Sequence, residues 1–360
     1  MISVQRRSGS SLSWNVACYS TAMICAFLTS AALLAFSGGD PAKAFSALLT
    51  GAFGSQNALY GSLAKATPLL LVGLGTVIAF RAKIWNIGQE GQVFAGAMAA
   101  YWMSLWVAPL PYWLAWLLIA IAGLVGGGVL GLLAGYLKVR FGTSEVISTV
   151  MLNYIVIYIL AYLLDGGPWM ESGLTVAYHQ SSPVNPLLEW PILLGQGSGK
   201  MHIGFILALA AAAFCAVLLE KTSLGYEIRA FGSNPTALRF RGTNIRRLLL
   251  VVMLLSGALA GLAGAGELFG TSHRLRAETL LGIGSSGIVV AMVGGLRPSG
   301  VMLAALFFGA LKSGAIYMRL KSGTPAGLVS AMEGLVLLFF LCAAVATKLQ
   351  LVRVEEKVHA

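Results

Sequence analysis

Apolar runs of about twenty residues, separated by short polar stretches, recur from one end of the chain to the other. A bilayer core takes about 20 apolar residues per helix. The runs therefore predict spans at 15–37, 59–80, 85–107, 112–137, 144–164, 201–220, 248–269, 282–296, 299–318 and 327–347. Ten spans place both ends of the chain on one side. The run 282–296 is short and reads as a re-entrant or broken helix. With the N-terminus inside, sixteen of the 24 Lys and Arg fall on the cytoplasmic side, although Arg274, Arg276, Arg319 and Lys321 fall outside. That bias is the one that orients membrane proteins. The layout is then a cytoplasmic tail over 1–14, a transmembrane domain over 15–347 and a cytoplasmic tail over 348–360. An outer loop lies near 165–200 and an inner one near 221–247. Glycines sharpen the picture: Gly123, Gly127, Gly131 and Gly135 recur every four residues, and Gly257 and Gly261 do the same. Lipid offers no hydrophobic drive between helices, so such small-residue faces predict close backbone packing in an all-α polytopic bundle.

Composition removes whole classes of function. The chain is 58% hydrophobic and 10% charged, with a mean hydropathy of +0.82, far from a soluble domain with about a quarter charged residues. The net charge of +11 is then an orientation signal, and nucleic-acid binding need not be invoked. Arg6 and Arg7 precede an apolar run too long for a signal-peptide core, which reads as a retained signal anchor. Cys18, Cys25, Cys215 and Cys342 stand singly in apolar runs, and the four His are scattered, so no metal site is expected. No nucleophile–base pair stands out, so no catalytic residue is expected. Gly282-Ile-Gly-Ser-Ser-Gly287 spells the dinucleotide fingerprint but follows no βαβ strand. At Gly199-Lys200, Leu194 stands where a phosphate loop needs its first Gly and Met201 where it needs Ser or Thr, so no ATP-binding cassette is read here and no cofactor is expected.

Three polar stretches carry candidate chemistry. The loop Leu224–Arg247 reads as two short helices. The first runs Leu224–Phe231 and is closed by Gly232 as a left-handed cap. The second has Asn234 as N-cap, Pro235 at the first helical position and Gly242 at its end. Glu227 alone balances Arg229, Arg239, Arg241, Arg246 and Arg247, so the loop is either an ordinary positive-inside connection or a surface built for docking. The stretch Arg81–Gln92, RAKIWNIGQEGQ, places Asn86, Gln89, Glu90 and Gln92 at the start of a span. Polar groups at membrane depth survive only inside protein or along a cavity, so this is a translocation or gating element, or else a helix that begins at the cytoplasmic surface. Glu145 and Asn153, eight residues apart on one helix face, line a polar route, or Glu145 caps its helix. Glu267 and Glu333 are expected to face the interior. The outer segment 165–200, with Trp169 and Trp190, fits a membrane-surface aromatic layer, a partner site or a solvated connection.

Thr67–Gln92 (TPLLLVGLGTVIAFRAKIWNIGQEGQ), Arg140–Ile155 (RFGTSEVISTVMLNYI) and Leu224–Gly264, with Ala305–Gly314 (ALFFGALKSG), resemble the permease subunits of binding-protein-dependent ABC importers of the simple sugar and nucleoside branch. The resemblance covers most of 60–345, while GGLRPSG at 294–300 departs from the form expected there. It implies a vitamin-importer-like bundle of about ten helices in a bacterial-type inner membrane. Leu224–Gly242 would be the coupling helix that docks on a cytoplasmic ATPase, through Gly225, Glu227, Arg229, Gly232, Asn234, Pro235 and Gly242. ATP would be used by that separate chain. A second, shorter permease would complete a heterodimeric pore, and an extracytoplasmic binding protein would deliver a nucleoside or simple sugar. The rival reading is a stand-alone secondary transporter or channel for a small polar solute.

Overall fold

The computed structural model describes residues 2–6, 12–171, 179–195, 199–347 and 349–353. Parts of the expected tails (1, 7–11, 348 and 354–360) and of the outer loop (172–178 and 196–198) lie outside the described residues. Among the described residues, eight helices are long and apolar enough to cross a membrane. The chain divides into two compact units, Met1–Gly51 with Gly314–Ala360, and Ala52–Ser313.

In the first unit, strand β1 (Ile2–Arg6) pairs antiparallel with β4 (Leu349–Arg353), Ile2 facing Arg353. Helix α1 (Leu12–Phe36) packs on α14 (Ala326–Ala346), Tyr19 and Phe340 lying with ring centres 6.0 Å apart. The apolar pattern assigns 38–58 to a connection, yet a helix α2 forms over Pro41–Phe53. Its start was readable: Pro41 holds the first helical position, and the Asp40 carboxylate accepts from the Ala42 N–H at 3.0 Å, an N-cap. At 13 residues it is too short to register as a span.

The second unit holds α3 (Gln56–Arg81), α4 (Gln89–Val107), α5 (Tyr112–Phe141), α6 (Glu145–Leu164), β2 (Ile192–Leu194), β3 (Met201–His202), α7 (Gly204–Lys221), α8 (Ser223–Ser233), α9 (Pro235–Phe240), α10 (Ile245–Glu267), α11 (Ala277–Leu280) and α12 (Ile283–Val293). It also holds the first part of α13 (Pro298–Ser322). Helix α3 is its axis; Val72, Leu74, Val77, Ile78 and Ala79 have no exposed surface. Around it α10 lies against α3, α4 and α5. The glycine ridges meet as their spacing predicts: a Cβ on Gly127 would stand 2.6 Å from the Gly261 Cα, and one on Gly123 would stand 2.7 Å from the Ala265 Cβ. No side chain fits between these backbones, so dispersion across bare glycine replaces the missing hydrophobic drive.

Two boundaries move. The span expected at 85–107 begins at Gln89, because Ala82–Gly88 is a turn in which Lys83 takes φ +54. Short breaks are needed here to reverse the chain between α3 and α4. Trp190, one of the two tryptophans of the outer segment, lies inside the protein and not in a surface layer. Trp190 is 3% exposed, donates its backbone N–H to the Phe269 carbonyl at 3.0 Å and lies against His202. The π-helical turn Leu268–Ser272, which follows α10, offers it an interior seat, and burial of the indole outweighs an interfacial position.

Candidate functional site

The stretch 81–92 folds as a junction between α3 and α4. Asn86, Gln89 and Gln92 are buried and meet Ser256 of α10: the Asn86 amide donates to Ser256 Oγ at 2.9 Å and to Gln92 Oε1 at 3.0 Å, and Gln89 donates to the same Oγ at 2.9 Å. Gln92 returns a bond to Asn86 Oδ1 at 3.1 Å. One acceptor, Gln89 Oε1, is buried without a hydrogen-bond partner among the described residues. Asn153 of α6 locks the same junction from outside, accepting from the Gly91 N–H at 2.8 Å and donating to the Ile87 carbonyl at 3.1 Å. Such a network fixes one arrangement, because a partner lost inside the protein leaves a buried polar group unsatisfied.

Glu90 reaches out of the junction to α12. One carboxylate oxygen accepts from the Gly282 N–H and the other from the Ser285 N–H at 2.9 Å. It occupies the anion position at the start of that helix, where free N–H groups and the dipole favour negative charge. The letters Gly282–Gly287 thus do hold an anion, a side chain of the same protein. At the other end of α12, Arg81 Nε donates to the Leu296 carbonyl at 2.8 Å. Arg81 and Glu90, nine positions apart in one motif, grip the short helix from both sides. Removing this cap should cost about 1 kcal/mol. Glu90→Ala is expected to lower the melting midpoint of purified protein in detergent and to depress uptake, with Glu90→Gln intermediate. Glu145 stands apart: it opens α6 and pairs with Lys138 of α5 at 2.5 Å. Of the six candidates, four meet at or reach from the junction, Asn153 clasps it, and Glu145 serves the α5–α6 turn.

Below α3 lie α8 and α9. Thr222 caps α8, its hydroxyl accepting from the Gly225 N–H at 3.1 Å, a cap the sequence reading passed over. A Cβ on Gly225 would stand 2.7 Å from the Leu219 Cα, so the glycine lets α8 fold directly back on α7. Asn234 Oδ1 accepts from the Thr236 and Ala237 N–H groups, both at 3.1 Å, with Pro235 at the first helical position. Gly242 has φ +86 and closes the pair. Gly232 does not cap α8: the helix runs through it to Ser233 and ends at Asn234 in an extended conformation. It is glycine because a Cβ there would strike the Arg81 carbonyl. Close approach, not a left-handed turn, fixes this residue. Glu227 and Arg229 are half-buried on α8.

The opposite end of α3 carries an interhelical charge pair. Lys65 donates to Glu267 at 2.8 Å, with Glu267 3% exposed. Nearby, His202 is packed between Gly204 and Gly270 and its Nδ1 accepts from the Gly204 N–H at 3.1 Å. Burial pushes the His202 imidazole down to about 4. Between pH 6.5 and 4 the unfolded chain takes up a proton that the folded one refuses, so stability falls as pH falls through that window. Detergent melting midpoints measured from pH 7 to 4.5 should drop accordingly, and His202→Phe should flatten the slope. The segment after α6 is tied to this end: Arg274 bonds to Glu171 at 2.5 Å, and Gln180 to the same carboxylate at 2.7 Å.

Residues 58–341 match a protein family described as "Branched-chain amino acid transport system / permease component". The guanosine ABC transporter permease NupP of Bacillus subtilis is 35% identical over 88% of this chain and 90% of its own length. The nucleoside ABC transporter permease NupB of Lactococcus lactis is 32% identical over 88% of each. The glucose ABC transporter permease TsgB13 of Haloferax volcanii is 33% identical over 84% of this chain and 80% of its own. Eight helices among the described residues long and apolar enough to cross a membrane, a buried polar junction and matches of this extent lead to one conclusion: the chain belongs to this permease-component family and is a multi-pass plasma-membrane permease subunit of an ABC importer.

Proposed function

We propose that this subunit is the larger permease of a heterodimeric pore that imports a nucleoside or a simple sugar. The observation that carries the substrate class is the set of relatives named for guanosine, nucleosides and glucose, matched over most of each chain. In this reading the bundle crosses the membrane ten times with both termini cytoplasmic. Support comes from the pairing of β1 with β4, which keeps the two ends together; α4, and α12 with the short helix before it, are read as the two further passes. Helices α8 and α9 then face the cytoplasm and dock on a separate ATPase through Gly225, Glu227, Arg229, Gly232, Asn234, Pro235 and Gly242. A binding protein delivers the solute to the opposite face. The junction of Asn86, Gln89, Glu90 and Gln92, with Asn153, borders the translocation route and sets the position of α12 along it; its amides are spent on one another, so it shapes the route more than it holds the solute.

The test is affinity purification of the tagged chain in mild detergent, followed by reconstitution. Recovery of an ATPase and a second permease in equal amounts, and ATP-dependent uptake of guanosine or glucose once the binding protein is added, is the expected result. A chain recovered alone that moves solute without ATP would overturn it.

A further inference from the structure

Three arginines converge where α3 meets α8, and among the described residues none of them has an acid within ion-pair distance. Arg81 is the last residue of α3, and its carbonyl touches Gly232 of α8. Its guanidinium bonds the Leu296 carbonyl at 2.8 Å, which brings it beside Arg297. Arg229 lies one turn before Gly232 on α8, and its Nη1 is buried with no hydrogen-bond partner among the described residues. The charges of Arg297 and Arg229 act on Arg81, against the single opposing charge of Glu220. Among the described residues none of these three arginines forms an ion pair with an acid. Gathering three cations against a single opposing charge is unfavourable, and an orphaned buried N–H adds to the cost.

We infer that Arg81, Arg229 and Arg297 form a receptor for a carboxylate side chain of the partner ATPase. This rests on the docking role proposed for α8 and α9 and names the contact that makes it specific. Guanidinium forks match a carboxylate with paired hydrogen bonds. Two further features fit a protein occupant. Phe240 of α9 is 90% exposed and Tyr226 of α8 49% exposed, and aromatic anchors beside arginine are what protein interfaces concentrate. Arg81 ends the most enclosed helix of the unit, so it emerges beneath the bundle's interior, where a subunit docking from below reaches it and a lipid headgroup at the rim does not.

Charge reversal tests this in the whole complex. Arg297→Glu changes an exposed side chain and Arg229→Glu a half-buried one; both are purified with all partner subunits across a salt series. The expected result is at least a tenfold loss of co-purified ATPase and of ATP-driven uptake for Arg297→Glu, with its elution profile and melting midpoint unchanged. Reversal of one acidic residue in the ATPase groove to Lys should restore both. Full ATPase recovery and uptake with both variants would overturn the inference. So would a loss that no ATPase acid repairs but that added anionic lipid does. If the unaltered chain recovers no ATPase at all, the proposed function itself falls, and this contact with it.

Discussion

Lys65→Met should lower stability by about 3–5 kcal/mol, the loss seen when one partner of a buried ion pair is removed. The reason lies in the surroundings. Glu267 is 3% exposed and sits at the end of α10, packed beside His202 and the π-helical turn. Without Lys65 its carboxylate must ionise in a medium that cannot solvate it, or take up a proton. Glu267→Gln should cost less, because Lys65 keeps some contact with solvent. The double variant, Lys65→Met with Glu267→Gln, should recover much of the loss, since it removes the unpaired charge and not merely the pair. Melting midpoints of all four proteins in one detergent form the cycle. Equal losses for the single and double variants would mean that the packing of the lysine stem matters and the ion pair does not.

Gly232→Val should uncouple ATP hydrolysis from transport while leaving the helices in the membrane. A Cβ at this position strikes the Arg81 carbonyl and stands 3.2 Å from its carbonyl carbon. Backbone cannot yield as a flexible side chain does, so α8 must shift away from α3. Overpacking of this kind costs about 1–3 kcal/mol, but the functional effect should be larger, at least a tenfold drop in solute moved per ATP hydrolysed. Gly232→Ala already introduces the clash and should show much of the defect. Gly242→Ala is the contrast: nothing lies within 4 Å of its Cβ position, so only the strain of φ +86 is added, and the ratio should stay near that of the parent.

The parts of the fold visible in the sequence are those that a bilayer or a single helix end dictates. Apolar runs marked the long helices because every backbone group at membrane depth must be satisfied within its own segment. Asn234, Pro235 and Gly242 were readable because capping is chemistry between residues two or three apart. The glycine face of α5 showed by its spacing that it packs closely, and the structure supplied its partner, α10. What could not be read is pairing across distance. The N–H donors that Glu90 accepts from lie 192 and 195 residues away, and Lys65 and Glu267 are 202 residues apart. No local pattern says which distant helix turns its N–H groups toward a given acid. Gly232 was misread for a related reason: a glycine followed by Ser and Asn looks like a helix stop, and only the neighbouring carbonyl of Arg81 reveals why the side chain is absent.

The double grip on α12 has a consequence for how that helix opens. Eleven residues make a helix too short to persist in isolation, and on its own it would fray from both ends. Here its first amides are held by Glu90 and its closing turn by Arg81. Its lifetime is then borrowed from the α3–α4 junction. Deuterium uptake at 283–293 should track that at 81–92 under every condition, because the two stretches can melt only as one cooperative unit.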